Sequence, residues 1–321
     1  MNDARPPILG AVQWFPFEDR KSVDETVAIC TDLGITELRV LLSWADWMRE
    51  GGKEWFDWYM ERMASIPNIR LLPSLFYTPM QVSMKDGDGE TKTSYPPEDP
   101  KTYVHFVREM INRYGERFDW IQIWNEPNWN PYWDWTMDPL GERFAAMAIP
   151  AARTAHELGK KTVLGGTTPL DYAWFGRMHE LGTLSHMDAV SFHYSPSWKN
   201  QHRRWLPLPT EIASLRALLR GFGLACEVWL DEVGFSTNTA TDHDEKRLEK
   251  QQVEYFDEIR AMPAERVYWF CLLDQSQDVQ TDDAINTDAE PDPTAYHFGL
   301  LTNDGKKKPL YAHWKGLRDA P

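Results

Sequence analysis

Eight short apolar runs, rich in β-branched and aromatic residues, punctuate this chain of 321 residues at intervals that leave room for one helix between each pair. They fall at 8–14, 37–44, 69–76, 120–124, 162–166, 189–194, 228–232 and 267–273, and their starts lie between 27 and 51 residues apart. A strand and its crossover helix need about 30 residues. Several runs, such as Val267-Tyr268-Trp269-Phe270-Cys271-Leu272-Leu273, are apolar without alternation. That is the pattern of a parallel strand covered on both faces. Eight such units follow one another with no composition change to mark a boundary. They predict an α/β fold, a single (β/α)8 TIM barrel over residues 1–321. An open doubly wound sheet is the alternative, because alternation by itself does not prove closure.

The segments between the runs carry helix signals. Ser22 is expected to cap a helix over 23–33, with Glu25 three residues on and Gly34 at its end. A helix over 101–114 closes on Gly115, and one over 142–158 holds Pro150, which should kink or split it. Further helices are expected at 208–219, 245–262 and 310–317. The connections at 77–100, 125–141, 195–210, 234–244 and 274–299 are long, and each follows the C-terminal end of a run. Barrels of this kind carry their sites on that face. The acidic stretch 281–290 lacks the spacing and glycine of a helix-loop-helix calcium site and reads as a solvated loop.

Two strand ends present carboxylates. In Ile121-Gln122-Ile123-Trp124-Asn125-Glu126-Pro127-Asn128 an apolar strand ends in an aromatic, and an amide and an acid follow before a proline halts the backbone. In Val228-Trp229-Leu230-Asp231-Glu232-Val233-Gly234 a second pair of acids ends another strand. Glu126 then closes the fourth strand and Glu232 the seventh. Asp231 competes with Glu232, but strand alternation should send its side chain the other way. Two carboxyl groups about 5 Å apart can cleave a glycosidic bond with retention, one protonating the leaving oxygen and the other attacking the anomeric carbon. Their proximity pushes one pKa upward. The ionised partner needs donors, and Arg39, set among apolar residues in Glu37-Leu38-Arg39-Val40-Leu41, itself needs a partner.

The run Trp124-Asn125-Glu126-Pro127 resembles the W-N-E-P signature of retaining glycoside hydrolases of clan A. The resemblance implies that Glu126 is the acid/base and Glu232 the nucleophile. It implies that Arg39 supports the nucleophile and that Asn125 meets the sugar 2-hydroxyl. Ser191-Phe192-His193-Tyr194-Ser195-Pro196 is similar to the clan's histidine and tyrosine pair, although here the two are adjacent. Only one can easily face the pocket; Tyr194 is expected to bond Glu232, with His193 the second choice. Trp269 matches the position of the clan's tryptophan floor. Nearer family level, the Trp-Asn-Glu-Pro-Asn run and the segment 298–309 look most like glycoside hydrolase family 39 and its relatives, β-xylosidases and exopolysaccharide hydrolases. Family 5 endoglycanases and mannanases are the alternative.

Aromatic residues make up 13 % of the chain, with 16 Trp, and many stand beside the long connections. Flat rings that also donate a hydrogen bond match the faces of pyranoses. Trp44, Trp129 and Trp133 are expected to bind substrate, the 129–135 cluster walling the leaving-group side; Trp14, Trp47, Trp135, Trp198 and Trp205 are similarly placed.

The formal net charge of −15 argues against nucleic acid and anionic membranes and favours a neutral ligand. Cys30, Cys226 and Cys271 are too few and scattered for a disulfide framework or a metal cluster. The first residues lack a secretory pattern, so the chain as written is expected in the cytoplasm, or secreted if a leader has been removed. The expected activity is double-displacement cleavage of a β-linked neutral oligo- or polysaccharide without cofactor or metal; no oligomeric state is read. Transfer to acceptors other than water is a variant of it. A non-catalytic carbohydrate-binding barrel is the contrasting reading, and it has little need of both Glu126 and Glu232.

Overall fold

The computed structural model describes residues 6–196, 206–239, 244–275 and 296–318. The strands are β1 (Ile8–Gln13), β2 (Glu37–Ser43), β3 (Arg70–Phe76), β4 (Trp120–Ile123), β5 (Lys161–Thr167), β6 (Ala189–Tyr194), β7 (Glu227–Val233) and β8 (Arg266–Phe270). Each pairs in parallel with the next, and β8 pairs back onto β1 through Ile8↔Arg266 to Val12↔Phe270. The sheet is therefore a closed barrel, and the open-sheet alternative falls.

Helices α1 (Arg20–Leu33), α2 (Trp44–Trp47), α3 (Gly52–Met63), α4 (Pro100–Tyr114), α5 (Glu142–Glu157), α6 (Tyr172–Glu180), α7 (Leu208–Gly221), α8 (Glu245–Ile259) and α9 (Pro309–Arg318) accompany the strands. Three expectations are corrected. The cap of α1 is Asp19, whose carboxylate accepts from the Ser22 backbone N–H at 3.1 Å and from its hydroxyl at 2.5 Å, so the helix starts earlier. Pro150 sits inside an unbroken α5. Strand β8 ends at Phe270, because Leu272 and Leu273 turn to the returning chain, where Leu301 N–H donates to the Leu272 carbonyl at 3.1 Å. Helices α3 and α6 were not expected from the sequence, although Trp55, Phe56, Tyr59, Met60 and Met63 bury one face of α3 at helical spacing.

The core has two shells. The larger lies between barrel and helices. The smaller fills the barrel, where Val12, Leu72, Val163 and Ala189 sit with Trp120, Trp229 and Tyr268. Trp120 and Trp229 pack at 4.6 Å, and the Arg266 guanidinium caps Trp229 while pairing with Glu37 at 2.7 Å. This apolar floor fills the lower end of the barrel, below the ends where the strands terminate. Among the described residues no helix is long and apolar enough to cross a membrane. The acidic stretch 281–290 lies outside the described residues.

A buried ion pair ties down the chain after β8. Lys308 Nζ donates to Asp274 Oδ1 at 2.7 Å, to Thr237 Oγ1 at 3.1 Å and to the His297 carbonyl at 3.2 Å. Burial pushes the Asp274 carboxyl up and Lys308 opposes it. Removing one member of a buried pair strands the other. Lys308→Ala is expected to lower unfolding stability in urea by about 3–5 kcal/mol, and Lys308→Met/Asp274→Leu to recover most of that loss.

Candidate active site

Above the apolar floor the barrel interior turns polar. Arg39 is the third residue of β2, level with Val12 and Leu72 and fully buried. Its length carries the guanidinium up to the strand ends. There Nε donates to Gln122 Oε1 at 2.6 Å, Nη2 to Asn125 Oδ1 at 2.6 Å, and Nη1 to Glu232 Oε1. Nε also lies 3.3 Å from Asp231 Oδ2, and the Trp14 ring covers the guanidinium at 4.7 Å. A buried cation is tolerated only where such acceptors surround it.

The peptide after β4 aims two consecutive side chains into this network. Trp124 has φ +67° and Glu126 φ +45°, left-handed backbone that non-glycine residues seldom adopt and that clusters at functional sites. The turn is held by Glu126 N–H donating to the Gly166 carbonyl at 3.0 Å, and by Asn128 Oδ1 accepting from Thr168 N–H at 2.9 Å. Two glycines of β5 make room here, Gly165 for the turn itself and Gly166 for the His193 and Asp231 side chains beside it. A Cβ at Gly165 would lie 2.0 Å from the Trp124 carbonyl oxygen, and one at Gly166 would lie 2.1 Å from His193 Nε2.

Glu126 and Glu232 meet across the mouth of the barrel. One oxygen of each, together with a ring nitrogen of His193, lie within 4.8 Å of one another. His193 Nδ1 stands 2.7 Å from Glu126 Oε1 and 3.5 Å from Glu232 Oε2. Thr168 Oγ1 donates to the same Glu126 Oε1 at 2.7 Å, while Oε2 is buried with no protein partner. This trio is the only grouping among the described residues with the spacing of a metal site. Arg39 and Thr168 already donate to its carboxylates.

The charges sort themselves by surroundings. Burial raises the Glu232 carboxyl above the ordinary carboxylate value; His193 and Arg39 pull it down, and Glu126 and Asp231 push it up. Burial would also raise Asp231, but Arg39, His193 and the Gln122 hydrogen bond hold it well below the usual range. Burial alone would depress the His193 imidazole. The carboxylates of Glu232 and Asp231, with the hydrogen bond to Glu126, lift it instead to about 10.

Several expected site residues stand elsewhere. Tyr194 does not reach Glu232: it lies on the other face of β6, packed toward the helices, where burial and Glu211 of α7 raise its phenol. His193 takes the interior position. Trp269 is fully buried against Phe256 and Tyr255 of α8, so Phe270, one residue later, takes the interior face. Trp44 stacks on Phe106 of α4 at 5.7 Å, and Trp133 is buried between Trp124 and Phe144. Trp129 alone of these is open, 40 % exposed, with Tyr132 and then Tyr77 behind it at 5.6 and 5.8 Å. Trp198 and Trp205 lie outside the described residues.

Asp231 is the other correction. The register of β7 slips, with Phe192 opposite Leu230 but His193 opposite Glu232, so both acids reach the interior. Such a bulge re-aims a side chain beside a site. The sequence reading also missed Gln122, whose Nε2 donates to Asp231 Oδ2 and to Ser191 Oγ, and Thr168. Gln122 was legible as the one polar residue in an apolar strand; Thr168 carried no signal. A separate cavity of about 720 Å³ lies under the barrel beside Ile8, Ile212 and Arg220. There Arg216 is paired with Glu265 at 2.7 Å and Arg266 with Glu37, and that end of a barrel serves stability.

No family model matches the chain, and no curated protein matches it in sequence. Solved structures do match it in fold. A family 39 glycoside hydrolase from Bacteroides cellulosilyticus is 16 % identical with a TM-score of 0.66, covering 99 % of this chain and 64 % of its own. This chain therefore spans just under two thirds of that structure. The GH5_18 protein from Bifidobacterium longum is 17 % identical with a TM-score of 0.67, covering 98 % and 79 %. The family 1 β-glucosidase of Thermotoga maritima is 11 % identical with a TM-score of 0.60, and 97 % of each chain is covered. All three belong to clan A, so the fold is the one the sequence resemblance implies.

The glycine contacts yield a matched test. Gly166→Ala is expected to lower stability by about 1–3 kcal/mol because the new methyl meets His193. Gly176→Ala, in α6 with open space around it, should be neutral or raise stability by up to about 1 kcal/mol. Urea denaturation of both variants checks the pair.

Proposed function

We propose that the protein is a retaining glycosidase that cleaves a β-glycosidic bond in a neutral oligo- or polysaccharide by double displacement. One observation carries the reading. Carboxyl oxygens of Glu126 and Glu232 lie within 4.8 Å of each other at the ends of the fourth and seventh strands. That is the short separation of retaining enzymes; inverting ones leave room for a water between the acids.

The two acids are dressed differently, which assigns their roles. Glu232 receives the Arg39 guanidinium, which favours its ionised form, and in this reading it attacks the anomeric carbon. Glu126 keeps one oxygen free of protein donors, and it passes its proton to the departing glycosidic oxygen. The first step forms the bond from Glu232 to the sugar as the glycosidic bond breaks. In the second, Glu126 takes a proton from water, whose oxygen displaces Glu232, and the sugar leaves with its configuration retained. A neutral glycan fits because Arg39 and His193, the cations of the site among the described residues, are already engaged by its carboxylates. The family 39 resemblance points to β-xyloside or exopolysaccharide linkages first.

A panel of aryl β-glycosides and oligosaccharides tests this. Glu232→Gln should be inactive on every substrate. Glu126→Gln should lose about 10²–10⁴-fold on poor leaving groups and far less on dinitrophenyl glycosides. Hydrolysis surviving in Glu232→Gln would remove it as nucleophile, and no cleavage of any glycan by the wild type would favour the binding-only barrel.

The pH dependence follows from the same environment. Glu232 must be ionised to attack, and burial raises its carboxyl. Activity is therefore full above that raised value and lost as the pH falls through it. The acid limb of kcat/KM should sit above the free-glutamate value of about 4.3, and Arg39→Met should move it further up.

A further inference from the structure

Asp231 plays no part in the steps above, yet it is fully buried at the centre of the site. The slipped register of β7 brings it inward beside Glu232. Its Oδ2 accepts from Gln122 and lies 3.3 Å from Arg39 Nε. Its Oδ1 faces His193 Nε2 at 3.5 Å, an ion-pair distance, and neither of these two buried atoms makes a hydrogen bond. Gly166 covers the gap between them: a Cβ there would lie 2.1 Å from Nε2 and 2.6 Å from Oδ1.

We propose that Asp231 is a positioning residue that works through His193, holding the imidazolium so that Nδ1–H is donated to one oxygen of Glu126 and the other oxygen carries the transferable proton. The proposal rests on Glu126 being the acid/base of the glycosidase reading. The imidazole is the bridge in a line of three groups, with Asp231 at Nε2 and Glu126 at Nδ1. The titratable groups facing it are Asp231 and Glu232 from β7 and Glu126 from the end of β4. From β5 the uncharged Gly166 lies against it. With Arg39, the charged imidazole makes two cations among three carboxyl groups, so one carboxyl can be neutral without leaving the site charged. His193 and Thr168 both donate to Glu126 Oε1. A proton on the acid is thereby directed to Oε2, the atom with no protein partner. A neutral imidazole could instead present Nδ1 as an acceptor and hold Glu126's proton on the wrong oxygen.

The test is titration of the His193 ring nitrogens by ¹⁵N NMR in the full-length wild type and in Asp231→Asn. His193→Gln assigns the signals. Both proteins are also assayed on aryl glycosides of decreasing leaving-group acidity. In the wild type His193 should be doubly protonated at neutral pH and titrate near 10. In Asp231→Asn its midpoint should fall by about one pH unit or more. Hydrolysis of poor leaving groups should fall by about 10²-fold while dinitrophenyl glycosides, which need no acid, change little. A wild-type His193 that is neutral at pH 7 overturns the proposal without any variant. So does an unmoved midpoint in Asp231→Asn, or a loss equal across all leaving groups. If the wild type cleaves no glycoside but His193 titrates as expected and shifts in the variant, the glycosidase reading fails and the hold of Asp231 on His193 stands.

Discussion

The burial of the Arg39 guanidinium inside the barrel is the constraint on which the rest of this site depends. A cation with no access to water must be met by acceptors on every side, and Arg39 draws its partners from three strand ends or their continuations. Gln122 and Asn125 come from β4 and the turn after it, Asp231 and Glu232 from β7, and the Trp14 ring from the end of β1. Each of these contacts fixes a residue that the chemistry uses or that stands next to one. The apolar floor of Trp120, Trp229 and Tyr268 beneath it keeps water from the lower end. The charge balance is thus decided within the cluster.

Two departures from regular backbone deliver the acids. Trp124 and Glu126 take positive φ, and Gly165 of β5 leaves the space that the backbone there occupies. Strand β7 slips by one residue, so that Asp231 and Glu232 both face inward. A perfectly alternating pair of strands would present one acid from each and leave the other in the helix layer. The irregular backbone gives the site three carboxyl groups, and with them His193 becomes a charged bridge rather than a packed ring.

Much of this was legible in the sequence, for physical reasons that also explain the failures. Eight apolar runs separated by helix-length segments leave few ways to bury themselves, so the barrel and the strands carrying Glu126, Glu232 and Arg39 could be placed. Those three are charged residues at strand ends or among apolar neighbours, and burial makes such residues conspicuous. Tyr194, Trp269, Trp44 and Trp133 were misplaced because an aromatic ring fits a sugar face and a helix packing face equally well, and a shift of one residue along a strand changes which it meets. Asp231 was misplaced for the opposite reason: alternation was assumed where the register slips. Thr168 and Gly166 carried no signal, since their importance lies in how closely β5 and its continuation pass Glu126, His193 and Asp231.

We propose that Glu232, held by Arg39, attacks the sugar while the adjacent Asp231 does not. It is tested most directly by trapping the covalent intermediate with a 2-deoxy-2-fluoro glycoside matched to the best aryl substrate and locating the label by mass spectrometry. One sugar per chain is expected, attached to Glu232 and absent from Glu232→Gln. A label on Asp231, or steady turnover by an enzyme that forms no intermediate with such reagents, would contradict it.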